Sequence, residues 1–228
     1  MPSGSPLDGE PAHGAVVSVE LKGASGESVR IHLSDGSFFI LHAEVFARER
    51  ISAGTTLHPD RIASLLSQSE RVFARLRALS LLARSAQTRQ GLTRKLRARG
   101  FSAPAVAHAI ARVSELGYLD DRAFAESWVA SRLAQRREGV KALSLGLLRR
   151  GVARPLAEEV ASAACPAEQE LAAARELAEG LSPRAAIRLL TGRGFRSRTI
   201  AAVLRWLKET RPEEERARPE RHPGAPGE

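Results

Sequence analysis

The sequence predicts a mainly α protein: a tandem array of three three-helix units, elongated and curved, behind a small N-terminal antiparallel β region. Three observations carry that expectation. Before residue 42, apolar residues alternate with polar ones, the period of a strand. From Ser69 onward they recur every three or four residues, the period of a helix. Within that helical part, a short signature ending in Arg-Gly-apolar occurs three times.

The β region is read from "VVSVELKGASGESVRIHLSDGSFFIL". Val17, Val19 and Leu21 fall on one face, Val29, Ile31 and Leu33 on another strand, and Phe38 and Ile40 on a third. "KGASGES" and "SDGS" are turn chemistry, the second an Asp-Gly hairpin signal. A three-stranded sheet follows, then a short helix, a Gly-containing turn, and a second short helix over 58–67 with Pro59 in its first turn.

The repeat reads "LTRKLRARGF", "LSLGLLRRGV" and "AIRLLTGRGF". Each has a Leu four residues before the glycine, an Arg just before it and an apolar residue just after. Gly100, Gly151 and Gly194 stand where a helix must stop and turn, and glycine takes the left-handed conformation there at little cost. The following apolar residue then folds back onto the helix it left. A longer helix precedes each signature, over 69–84, 120–136 and 167–179, and an Ala/Val/Ile/Leu helix follows it. Gly146 and Gly192 should weaken the middle helices of the second and third units. The expected boundaries are a disordered N-terminus (1–14), the β region (15–68), three units (69–118, 119–165, 166–210) and a disordered charged tail (211–228).

The net charge of +9 is uneven. Residues 1–68 carry −3, residues 69–210 carry +13, and the tail carries −1. An Arg-over-Lys bias explains the choice of cation but not this localisation. Such a segment attracts polyanions or acidic protein surfaces. The stretch 87–100 contains no Asp or Glu, and on its helix Leu92 and Leu96 face inward while Arg94 and Arg97, and Lys95 and Arg99, lie on other faces. Arg89, Arg94, Lys95, Arg97 and Arg99 are therefore candidates for partner or DNA contact. The same holds for Arg136, Arg137, Lys141, Arg149 and Arg150, and for Arg193, Arg196 and Arg198. On DNA such side chains would contact phosphates, which gives position rather than sequence specificity.

Catalytic chemistry finds no support. The six histidines lack a second His or Cys at metal-ligand spacing, and the glycines of "TGRGF" lack the pattern of a phosphate loop. The paired carboxylates Asp120 and Asp121 have no partner base or acid nearby in the sequence. They read as a helix start: Asp120 as N-cap, Asp121 in the first turn, and Leu119 with Phe124 as a hydrophobic staple. No metal, no cofactor and no enzymatic activity are expected. No apolar run approaches the roughly 20 residues of a membrane helix. The single cysteine, Cys165, fits a reducing compartment, and a cytoplasmic monomer is expected.

"GYLDDRAFAESWVASR", from Gly117 to Arg132, preceded by "LLARSAQTRQGLTRKLRARGF", resembles the RecX regulators of the recombinase RecA. The pattern rests on Gly117, Tyr118, Asp120, Asp121, Phe124, Trp128 and Arg132, and the resemblance spans about residues 70–208. It implies an all-helical array that lies in the groove of the RecA–DNA filament and bridges RecA protomers. It further implies suppression of strand exchange and ATP hydrolysis, and modulation of the SOS response in recombinational DNA repair. DNA binding by the chain alone is expected to be weak and non-specific. The alternative is a stand-alone nucleic-acid-binding protein with helix-turn-helix-like units, against which no helix combines Asn, Gln and Arg in a base-reading set.

Overall fold

A computed structural model of the chain describes residues 13–23 and 26–210. The termini expected to be disordered lie outside the described residues, apart from His13 and Gly14. The chain divides into two compact units, with the boundary between Asp120 and Asp121.

The first unit opens with β1 (Gly14–Lys22), β2 (Ser28–Leu33) and β3 (Phe38–His42), followed by α1 (Ala43–Glu49) and β4 (Thr56–Leu57). The sheet has four strands in the order β3-β2-β1-β4, all antiparallel. The fourth strand, two residues long, pairs only with Gly14 and Ala15 and has too little pattern to be read from sequence. Two apolar assignments also change. Val29, Ile31 and Leu33 face the core as expected, but on β3 it is Phe39 and Leu41 that are buried, while Phe38 and Ile40 are exposed. Register decides this: Ile31 pairs with Phe39 and Val29 with Leu41, and directly opposed residues share a face. Phe38 turns outward beneath the Arg30 guanidinium, 4.7 Å from the ring centre. On β1, a bulge between Val16 and Ser18 lets Val16 reach the core, and Val17 and Leu21 are exposed.

Helix α2 (Pro59–Arg84) is continuous where the sequence suggested two helices, the second starting at 69. No Gly or Pro interrupts it after Pro59, so nothing breaks the turn at 68. Its first half covers the sheet, with Ile62, Leu65 and Val72 in that core. Its second half supplies Ala74, Ala78 and Leu81 to a separate core with α3 (Arg89–Arg97) and α4 (Ala103–Glu115). Buried Ser69 accepts a 2.7 Å hydrogen bond from the His42 N–H and pins the end of β3 to the helix.

The second unit contains α5 (Asp121–Gln135), α6 (Val140–Arg149), α7 (Arg154–Ala164), α8 (Ala167–Ala178), α9 (Pro183–Gly192) and α10 (Ser197–Thr210). They form two three-helix cores, one built on Ala125, Val129, Leu143 and Leu147, the other on Ala174, Ala178, Leu190 and Phe195. Gly100, Gly151 and Gly194 are all left-handed, at φ 87°, 89° and 74°. After the last two, the N–H groups of Val152 and Phe195 return to the carbonyls of Leu147 and Leu190, at 3.1 and 3.0 Å. This is the Schellman closure that the signature predicts.

The glycine inside α6, Gly146, and the one that ends α9, Gly192, differ in cause. A Cβ at Gly146 would collide with Cη2 of Trp128, so this glycine makes room for the indole on α6. Gly192 faces open space. Gly146→Ala should therefore destabilise the protein although alanine is the better helix former. Gly192→Ala, at the last residue of α9, should stabilise it slightly, by at most about 0.5 kcal/mol. Chemical denaturation of both variants checks the pair of signs.

Candidate partner-binding surface and relatives

In the first unit, Thr88 caps α3, accepting a 3.0 Å bond from the Gly91 N–H. Leu92 and Leu96 are fully buried, while Arg89, Arg94, Lys95, Arg97 and Arg99 are exposed, so the helix sorts its side chains as expected. Lys95 Nζ donates to Gln87 Oε1 at 2.7 Å, and Arg99 Nη1 to its own helix at the Lys95 carbonyl, 2.8 Å. Among the described residues, no carboxylate pairs with Arg94, Lys95, Arg97 or Arg99. Arg94, Lys95, Arg97 and Arg99 thus offer concentrated positive charge that no carboxylate of the described residues neutralises.

The second unit divides its basic candidates. Arg136, Lys141, Arg149, Arg193 and Arg198 are exposed and, among the described residues, carry no ion pair. Arg150 lies over the Trp128 ring at 4.5 Å and donates to the Gly146 carbonyl at 3.0 Å. Arg137 pairs with Glu176 of α8. Arg196 is mostly buried, with its Nε 3.6 Å from Glu170 Oε2, so its charge is held inside the unit rather than presented outward.

The residues of the Gly-Tyr-Leu-Asp-Asp block have separate explanations. Gly117 is left-handed at φ 75°, and the Tyr118 N–H closes the end of α4 onto the Val113 carbonyl at 2.9 Å. Leu119 is buried, yet the Tyr118 side chain is 59% exposed, so packing does not account for the tyrosine. Helix α5 starts at Asp121, which leaves Asp120 in the N-cap position and Asp121 in the first turn. Phe124 and Trp128 pack partly buried against the core of α5–α7. Arg132 makes a two-pronged contact with Glu138, Nε to Oε2 at 2.9 Å and Nη2 to Oε1 at 2.7 Å, which straps the α5–α6 loop to its helix. Glu138 holds the Arg132 guanidinium above its usual pKa through that hydrogen bond.

Glu170 is a residue of this unit that composition alone would not single out. Among the described residues it is the one charged side chain in the fully buried class. Its Oε1 accepts from the N–H groups of Val140 and Arg196, both at 3.2 Å, and its Oε2 from the Thr199 hydroxyl at 2.8 Å. These donors open α6 and α10, so one carboxylate serves two helix N-termini. The sequence does hold a signal for it: Glu170, Ala174 and Ala178 fall at i, i+4 and i+8, all three with no exposed surface. Beside it, the Cys165 thiol is pushed up from its usual pKa by burial and by the Glu170 charge, so it is a poor nucleophile. A parallel contact closes the first unit. Glu70 of α2 accepts from the N–H and hydroxyl of Ser102, both at 2.6 Å, again two residues after a corner glycine.

Among the described residues, no group of three or more His, Cys, Asp or Glu could hold a metal ion, and no helix is long and apolar enough to cross a membrane. Fold and surface therefore define a helical-repeat protein that presents unneutralised basic side chains on positioned helices. Two family models match it: the first three-helix domain of RecX over residues 74–112 and the second over residues 120–160. A "Regulatory protein RecX" of Thermus thermophilus is 43% identical over 118 residues, covering 52% of this chain and 80% of the relative. One from Pelodictyon phaeoclathratiforme is 33% identical over 137 residues, covering 57% and 86%. The chain belongs to the RecX family of regulatory proteins.

Two solved structures share the fold. A crystal structure of regulatory protein RecX superposes with a TM-score of 0.63 at 20% identity, covering 83% of this chain and 98% of that one. RecX from Lactobacillus salivarius superposes with a TM-score of 0.56 at 20% identity, covering 61% and 97%.

The strap between Arg132 and Glu138 is checked by a double-mutant cycle in chemical denaturation. Arg132→Lys should lower stability by losing the two-pronged geometry. In a Glu138→Gln background the same change should cost much less.

Proposed function

We propose that this chain binds the RecA–DNA nucleoprotein filament and restrains RecA's recombinase and ATPase activity, and so acts in recombinational DNA repair and the SOS response. Membership of the RecX family supports RecA as the partner. The observation that carries the reading is the exposed, acid-free basic face of α3, joined in the second unit by Arg136, Lys141, Arg149, Arg193 and Arg198. These side chains suit phosphates or acidic protein patches and suit no covalent chemistry. The protein works in the cytoplasm as a monomer that needs no cofactor.

DNA alone is a weak partner in this reading. Arg and Lys contacts to phosphate are strongly screened by salt, with log K falling by about 0.7 per unit log[salt] for each single-strand phosphate contacted. Binding to single-stranded DNA should therefore fade across a salt series. Binding to RecA filaments formed with nucleotide should be at least about tenfold tighter at the same salt, a difference of about 1.4 kcal/mol. Fluorescence anisotropy on both targets measures this. Equal affinity for bare DNA and for filaments would support a stand-alone nucleic-acid-binding protein instead.

The basic helix gives a second test. Arg94, Lys95 and Arg97 changed together to Glu should keep the helicity, since all three lie outside the core. Inhibition of RecA's DNA-dependent ATPase should weaken. Unchanged inhibition with intact circular dichroism would move the contact off this helix.

A further inference from the structure

The surroundings of Glu170 assign it a task beyond closing one repeat. An ionised carboxylate is costly to bury unless its oxygens are bonded. Here the bonds come from two different repeats: Val140 begins α6 of the second, and Arg196 and Thr199 begin α10 of the third. Helix α6 has Gly139 at its N-cap and no side-chain cap of its own, so Glu170 supplies what is missing. The backbones close in around it. The Gly139 N–H donates to the Arg193 carbonyl and the Lys141 N–H to the Gly194 carbonyl, each at 2.9 Å. A Cβ at Gly139 would collide with the Phe195 backbone, and one at Gly194 with Ala142. The corner glycine of the third repeat is thus also the seat for the first turn of α6.

The same contact assembles charge. Lys141 Nζ reaches Ser197 Oγ at 3.0 Å, and Arg193 Nη1 lies 3.5 Å from the Arg137 carbonyl. Cations from two repeats, Lys141 and Arg193, therefore each reach across this joint. We infer that Glu170 is a positioning residue: it locks the second and third repeats in one orientation, so that Lys141 and Arg193 meet a polyanionic partner together and not in turn. A loose joint would force the partner to order the repeats on binding, and each contact would weaken. This rests on the proposal that the basic side chains face a polyanion.

The test uses the full chain with Glu170→Ala and Glu170→Gln. Helicity is followed by circular dichroism. The joint is followed by the distance between nitroxides at Ser162→Cys on α7 and Ala201→Cys on α10, in a Cys165→Ser background. Charge assembly is followed by the salt dependence of single-stranded DNA binding. Glu170→Ala should keep its helicity, broaden the distance distribution, and reduce the slope of log K against log[salt] by about 0.7 or more, the equivalent of one lost phosphate contact. Glu170→Gln should fall between it and the wild type. A wild-type distance distribution or a wild-type slope in Glu170→Ala overturns the inference. Should Glu170→Ala lose helicity, Glu170→Gln, which keeps the side-chain volume but weakens the acceptor for the Val140 N–H, is held to the same two criteria. A parent chain with no salt-dependent binding would instead defeat the polyanion reading, and the distance measurement would still judge the joint.

Discussion

Each repeat of this chain is too small to hold itself together. A three-helix unit of some forty residues, packed largely with Ala, Val and Leu, buries little apolar surface, and domains near that size usually need further support. The molecule meets this constraint twice within its compact units. In the first, α2 runs through two cores, covering the sheet with one half and completing a three-helix bundle with the other. In the second, two bundles meet at backbone distance around the buried carboxylate of Glu170.

Both units also use polar groups where a larger protein would use bulk. Glu70 and Glu170 each accept the N–H two residues after a corner glycine, which fixes the start of the next helix against the first helix of its repeat. The signature glycine makes this possible, because the left-handed corner turns the chain back within reach of that carboxylate. Positive charge then remains for the surface. Arg132, Arg137 and Arg196 are tied to Glu138, Glu176 and Glu170, whereas Arg94, Lys95 and Arg97 of α3 have no such acidic tether among the described residues.

The sequence was legible where one local rule decides. Gly100, Gly151 and Gly194 could be read because a helix that stops and reverses needs a left-handed residue. The inward Leu92 and Leu96 and outward Arg94 and Arg97 follow from helical period alone. It was not legible where distant partners decide. The bulge at Val16 and Ser18 and the register against β2 set which face of β1 and β3 is buried, and neither shows in the alternation of one strand. Gly146 reads as a weak point until Trp128 is seen against it. Glu170 reads as a surface acid because its donors lie 26 to 30 residues away, and Arg196 reads as a free cation for the same reason.

The central claim is that positioned basic surfaces of this RecX-family chain, and not its β module, engage the RecA–DNA filament. Hydrogen–deuterium exchange of the full chain, with and without filaments formed on single-stranded DNA, tests it most directly. The account predicts slowed exchange in α3 and at the joint where α6 meets the start of α10, with the sheet unchanged. Protection confined to β1–β3, with α3 and the joint exchanging as in the free protein, would contradict it.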